Sequence, residues 1–217
     1  MIPMKFSWTN IKKIYYLCLM EKIKIHDKTF RLAIKNEDIE SSIDEVAVKL
    51  NAEYQGCEQP PILLCILTGA MAFTASLMQR LDFQIQLACM KVSSYEGTTS
   101  SGTIVTKIKP TADLTGRRVI ICEDIVDTGT TIRFLRGNLL AMGAKDVKVC
   151  CMMFKPENLH RQLLLEGLIT EESTEAEYAR FHPEFYAMSI PNDFIVGYGL
   201  DYNELGRQYK DIYVLDE

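Results

Sequence analysis

The stretch Val119-Ile120-Ile121-Cys122-Glu123-Asp124-Ile125-Val126-Asp127-Thr128-Gly129-Thr130-Thr131 decides how this chain folds. Its apolar, β-branched opening ends on two adjacent carboxylates, and the Asp-Thr-Gly-Thr-Thr beyond them leads into helical spacing. That order predicts a buried strand over 119–122, a short loop, and a helix over 130–142 closed by Gly143. Free backbone N–H groups in such a loop, with the positive end of the helix dipole behind them, make a seat for an anion. The hydroxyls of Thr128, Thr130 and Thr131 add donors, and Gly129 lets the backbone come close to a ligand without a Cβ in the way.

Outward from this block the pattern repeats. The uninterrupted apolar run 62–67 predicts a central parallel strand, Thr68-Gly69-Ala70 a tight turn, and 71–81 a helix packed on the sheet. Segments 84–92, 104–108 and 146–154 read as further strands, and 93–102, rich in Ser, Thr and Gly, as a functional loop. Upstream, alternation at 21–25 suggests a strand, Asn36 offers an N-cap, and Ile39, Ile43, Val46 and Leu50 recur at helical spacing. Downstream, 159–168 looks helical and 170–177 acidic and exposed, while 184–190, 194–196 and 211–215 read as short strands. The alternation implies an α/β fold with a doubly wound, mostly parallel sheet flanked by helices and right-handed crossovers. Ligands of such sheets sit beyond the carboxyl ends of the strands, where both the Thr68-Gly69 turn and the 123–131 loop fall.

Composition narrows the class. A chain of 217 residues suffices for one domain with a full core, and 47% hydrophobic residues describe a globular protein. A formal charge of -5 argues against bulk nucleic-acid binding, and no basic helix-turn-helix pattern occurs. Seven cysteines include no Cys-x-x-Cys pair, and several lie in apolar runs (Cys65, Cys89, Cys122, Cys150, Cys151). Buried, reduced thiols in a cytoplasmic protein are the expectation. The apolar patch 14–20 is too short to span a bilayer and lacks small-residue cleavage chemistry, so neither a membrane nor a leader is expected. Residues 1–19 read as an extension outside the core, with folding from about Met20.

Two acids on the rim of a phosphate seat require a ligand that also carries hydroxyls or a metal; a phosphorylated sugar with Mg²⁺ has both. Taken singly, Glu123 and Asp124 could merely end a strand and Asp127 cap a helix. The ordered block is harder to obtain from packing alone, and it resembles the signature of the phosphoribosyltransferase family, which binds phosphoribosyl pyrophosphate. On spacing alone Lys155 reads as solvated, Phe194 as core and Asp201 as a turn residue. However, Val196-Gly197-Tyr198-Gly199-Leu200-Asp201-Tyr202-Asn203-Glu204, Lys155 after a strand and Ser94-Tyr95 in the loop resemble the 6-oxopurine (hypoxanthine-guanine) branch.

The resemblance runs from about Met20 to the C-terminus and implies a type I phosphoribosyltransferase fold over 20–217, with a small hood formed mainly by the C-terminal segment. It implies that Glu123 and Asp124 hold the ribose hydroxyls, directly or through Mg²⁺, and that Asp127 acts as general base or acid at purine N7. Thr128, Gly129, Thr130 and Thr131 would cradle the 5′-phosphate; Thr68, Gly69 and Arg207 would meet the pyrophosphate. Lys155 would donate to the 6-oxo group, Phe194 stack on the ring, Ile195 offer backbone hydrogen bonds, Asp201 bind Mg²⁺, and Ser94 and Tyr95 belong to a closing loop. The implied activity is purine salvage onto hypoxanthine or guanine, by a homodimer or homotetramer. A xanthine-preferring enzyme and a non-catalytic phosphoribosyl pyrophosphate sensor are the alternatives. Two departures stand out: Thr68 replaces a lysine common among relatives, and 156–180 is longer than the usual connection.

Overall fold

The four residues Val119–Cys122 are fully buried, as in a strand covered on both faces. In the computed structural model, which describes residues 22–94 and 104–216, they lie in a strand longer than expected, Arg118–Val126. Numbered in chain order, the strands of its sheet are β3 (Ile62–Leu67), β4 (Gln86–Ser94), β5 (Ile104–Ile108), β6 (Arg118–Val126), β7 (Asp146–Phe154) and β8 (Phe185–Ser189). They are ordered β5-β4-β3-β6-β7-β8. All neighbours are parallel except β5, which runs antiparallel to β4. The protein therefore has the mostly parallel α/β sheet that its alternating pattern implies.

The helices are α1 (Asn36–Tyr54), α2 (Met71–Met78), α3 (Thr130–Ala141), α4 (Pro156–Leu165) and α5 (Glu175–Ala179). On α1 the buried residues Ile39, Ile43, Val46, Ala47, Leu50 and Tyr54 form one apolar stripe, with Glu37 and Asp38 at its dipole-favoured start. One continuous core joins Leu64 and Ile66 of β3 and Val119 and Ile121 of β6 to Leu135 and Leu139 of α3 and to Leu159 and Leu163 of α4. These helices thus cover one face of the sheet.

Two compact units divide the described chain: 37–192, and 22–36 together with 193–216. The second holds β1 (Lys22–Ile25), β2 (Lys28–Ile34), β9 (Ile195–Val196) and β10 (Ile212–Leu215) in the order β1-β2-β10-β9. Ile25, Phe30, Val196 and Tyr213 form its own small core. The extension 1–19 and Tyr95 lie outside the described residues, and of Ser94 only the backbone, at the end of β4, is described.

Several boundaries differ from expectation for identifiable reasons. Helix α2 stops at Met78, not 81, because the chain turns to present Arg80 to α1. There its guanidinium pairs with Glu40 at 2.9 Å and Asp44 at 2.5 Å, and its carbonyl accepts from Asn51 at 3.0 Å. Strand β4 starts at Gln86, not 84, after Phe83 stacks on Tyr54 with centroids 5.3 Å apart. It runs on to Ser94 because β5 pairs with it there. Strand β2 goes beyond the sequence expectation; it is held by long-range pairing with β10 and by the buried Phe30. Helix α4 begins earlier than 159, at Pro156, a residue suited to the first helical position. The acidic stretch near 170–177 contains the start of α5, opened by a Thr174–Glu177 capping box. Cys65, Cys122, Cys150 and Cys151 are buried thiols, whereas Cys89 is only partly covered.

Leu64 is fully buried at the centre of β3. Leu64→Ala should cost about 2–5 kcal/mol of unfolding free energy, measured by urea denaturation.

Candidate active site

Parallel pairing brings the carboxyl ends of β3, β6 and β7 to one edge, and each delivers polar residues there. From β3 come Thr68 and Gly69, following a cis Leu67–Thr68 peptide bond. From β6 come Glu123 and Asp124 and then the 127–131 loop. From β7 comes Lys155, whose backbone N–H donates to the Val126 carbonyl at 2.9 Å and so ties the two strand ends together.

Glu123 is 9% exposed, and its Oε2 is buried with no hydrogen-bond partner. Burial, and then the neighbouring Asp124 carboxylate, push its pKa well above the ordinary glutamate range. An orphaned buried carboxylate oxygen is costly and is a reason to look for a ligand. Asp124 packs hard against the β3 turn: a Cβ on Gly69 would lie 1.6 Å from Asp124 Oδ2. The two strand ends can approach this closely because position 69 has no side chain.

The 127–131 loop bounds a hollow of about 260 Å³ lined by Glu123 to Gly129, Thr131 and Ile132. Gly129 is the N-cap of α3, in the left-handed region at φ 72°, and makes no side-chain cap. Asp127 is therefore not the helix cap. The first N–H groups of α3 keep no side-chain partner at the cap, and with the helix dipole behind them this end favours an anion. Thr128 Oγ1 and Thr130 Oγ1 lie 3.2 Å apart. A larger hollow of about 510 Å³, lined by Asn51, Gln55, Cys57, Glu58, Asp82 and Phe83 among others, lies toward the amino ends of β3 and β4, away from the edge where the strands' carboxyl ends meet.

Lys155, read from spacing as solvated, is 6% exposed, and its Nζ lies 3.1 Å from Asp127 Oδ2. Asp127 Oδ1 accepts from Asn158 Nδ2, an interaction beyond the reach of the sequence reading. Asn158 stands in the first turn of α4 and is itself buried. Its neighbour Leu159 packs over the loop, since a Cβ on Gly129 would meet Leu159 Cδ1 at 2.5 Å. A polar residue three positions after Lys155 is the available signal, but no motif marks it.

In the other unit, Phe194 is 48% exposed and so is not a core residue, with Tyr202 edge-on at 5.8 Å. Leu215 N–H donates to the Phe194 carbonyl, and Val214 stands opposite Ile195. Antiparallel alternation then turns the N–H and C=O of Ile195 toward the open side of β9, the sheet's last strand. Asp201 Oδ2 accepts from the Glu204 N–H at 2.7 Å, the turn role that spacing suggested, while its Oδ1 pairs with Arg207 at 2.7 Å.

Among the described residues no group of three or more His, Cys, Asp or Glu is placed to hold a metal ion. Mg²⁺ keeps several waters and takes one or two carboxylates plus substrate phosphates. The Glu123–Asp124 pair, with one orphaned oxygen, fits such a role.

Gly129→Ala combines a left-handed backbone with a collision at Leu159. It should destabilise the protein by more than about 1 kcal/mol, read as a lowered urea midpoint at unchanged m-value.

Comparisons with known proteins identify its relatives. The phosphoribosyl transferase domain model matches residues 33–165. A hypoxanthine-guanine phosphoribosyltransferase of Streptococcus pneumoniae is 37% identical over 188 residues, covering 86% of this chain and 93% of its own. One from Aquifex aeolicus is 31% identical, covering 89% and 99%. A hypoxanthine phosphoribosyltransferase from Trypanosoma cruzi, solved in complex with IMP, superposes with a TM-score of 0.71 at 27% identity, covering 89% and 93%. With the domain model matched over residues 33–165 and relatives of 31% and 37% identity aligned to most of its length, the chain belongs to the phosphoribosyltransferase family.

Proposed function

We propose that this protein is a purine-salvage enzyme that transfers the 5-phosphoribosyl group from phosphoribosyl pyrophosphate to hypoxanthine or guanine, giving IMP or GMP and pyrophosphate. The observation that carries the reading is the buried Glu123 with its unpartnered Oε2, set beside Asp124 at the lip of the loop that begins α3. An acid pair next to an anion seat suits a ligand that carries ribose hydroxyls and a 5′-phosphate together.

In this reading Thr128 to Thr131 take the 5′-phosphate through backbone N–H groups and hydroxyls, and Glu123 and Asp124 take the 2′ and 3′ hydroxyls. Thr68 and Gly69 offer backbone groups to the pyrophosphate. Bound Mg²⁺, held by Glu123 and Asp124 with Asp201 as the further ligand the resemblance implies, would neutralise charge on the leaving pyrophosphate. The purine N9 forms the bond to C1′ as the C1′–oxygen bond breaks, its electron pair leaving with pyrophosphate. The N7 proton passes to Asp127, which returns it in the reverse direction. Lys155 donates to the 6-oxo group; a 6-amino group would set donor against donor and be rejected. Phe194 stacks on the base, the open backbone edge of Ile195 reads it, and Arg207 stabilises the pyrophosphate. By the resemblance, Ser94 and Tyr95 would help exclude water from the reaction.

The exposed Met71 and Met78 on α2 and Leu140 on α3 support self-association as a homodimer or homotetramer. No helix among the described residues is long and apolar enough to cross a membrane, and we place the enzyme in the cytoplasm.

Asp127→Ala should lower kcat for IMP formation by at least about 100-fold; unchanged turnover would remove Asp127 from the mechanism. Lys155→Ala should cut kcat/KM for hypoxanthine by roughly 10- to 100-fold, the worth of a hydrogen bond from a charged donor, and narrow the preference over adenine in a competition assay.

A further inference from the structure

We propose that Asn158 is a positioning residue of this reaction, holding the Asp127 carboxylate in the orientation from which it exchanges a proton with the purine. The inference rests on the role given to Asp127 above. Asp127 is a partly exposed side chain, 40% accessible, on a loop, and the last torsion of an aspartate is broad and weakly fixed. Something must set it.

Lys155 alone is a poor clamp. Its ammonium is a point charge with rotatable donors on a flexible stem, and its other task is to face the 6-oxo group. Asn158 differs on both counts. It is 8% exposed and rises from the first turn of a helix, and each of its polar atoms is engaged. Its Nδ2 donates to Asp127 Oδ1 and to Asn192 Oδ1 at 2.6 Å, using both hydrogens. Its Oδ1 accepts from Arg161 Nη2 at 2.6 Å.

The amide cannot be turned round, because the Arg161 guanidinium only donates and so requires the amide oxygen on its side. Asn158 and Lys155 therefore hold one carboxylate oxygen each, which restrains the plane of the group. The same turn of α4 is seated on the loop by Leu159 against Gly129. The long 156–180 segment thus begins with a device aimed at Asp127, in which Arg161 acts by holding Asn158.

The test compares Asn158→Ala, the isosteric Asn158→Asp, Arg161→Ala and Asp127→Ala in steady-state IMP synthesis with thermal melting alongside. Asn158→Asp keeps the shape and the acceptor for Arg161 but sets a carboxylate against Asp127. Both Asn158 variants should lose roughly 10- to 100-fold in kcat, as misplaced catalytic groups do, with KM for phosphoribosyl pyrophosphate within about twofold of wild type. Arg161 is exposed, so its removal spares the fold; Arg161→Ala should lose less kcat and add nothing in the Asn158→Ala background. Wild-type kcat in folded Asn158→Asp and Arg161→Ala, or a loss carried by KM alone, overturns the proposal. If Asp127→Ala is inactive while those variants are not, only the positioning role fails; if Asp127→Ala keeps full turnover, the reading of the site fails with it.

Discussion

Parallel, in-register pairing of β3, β6 and β7 is the constraint on which the rest of the larger unit depends. Strands covered on both faces must be nearly pure hydrocarbon: β3 is so throughout, and β6 from Val119 to Cys122, where its pairing with β3 stops and the acid pair begins. Because the strands are parallel, their polar continuations emerge on one edge. Thr68-Gly69, Glu123-Asp124 with the following loop, and Lys155 are far apart in sequence and share that edge only because Ile62 pairs with Val119 and Val119 with Val147. A slip of register along β6 would carry Asp124 away from Gly69 and unmake the fit between those two strand ends.

Two kinds of carboxylate result, and their surroundings separate them. Glu123 is buried beside a like charge with an unsatisfied oxygen, so the protein alone does not complete its environment. Asp127 is complete: a lysine and an asparagine each supply a donor. In the function proposed above, a cationic ligand group or hydroxyls would relieve the first, while the second would exchange a proton. The difference follows from position, one acid still inside the strand and the other on the loop beside α4.

Much of this could be read from residues 119–131 and from the apolar runs at 62–67 and 146–154, because burial on both faces writes an unbroken hydrophobic run into the chain. Elements whose partners are remote left weaker traces. Strand β2 pairs with β10, almost the full chain away, and its half-buried pattern carries one fully buried residue, Phe30. The end of α2 depends on Arg80 finding Glu40 and Asp44, a tertiary event that local periodicity does not encode. At the site, the residue types of Glu123 and Asp127 announced themselves by order and spacing, whereas Lys155 was marked only by the family resemblance. The burial of Lys155 and the hand that Asn158 lends to Asp127 left no such mark, since both arise from where α4 docks.

The brevity of β9 has a consequence for how this protein could change or be inhibited. Ile195 turns main-chain groups, not a side chain, to the open side of a two-residue strand at the margin of its sheet. A peptide group is the same whatever residue carries it. A drug that satisfied that donor and acceptor would leave resistance no simple codon change at position 195 to exploit, because losing the contact means rebuilding the strand.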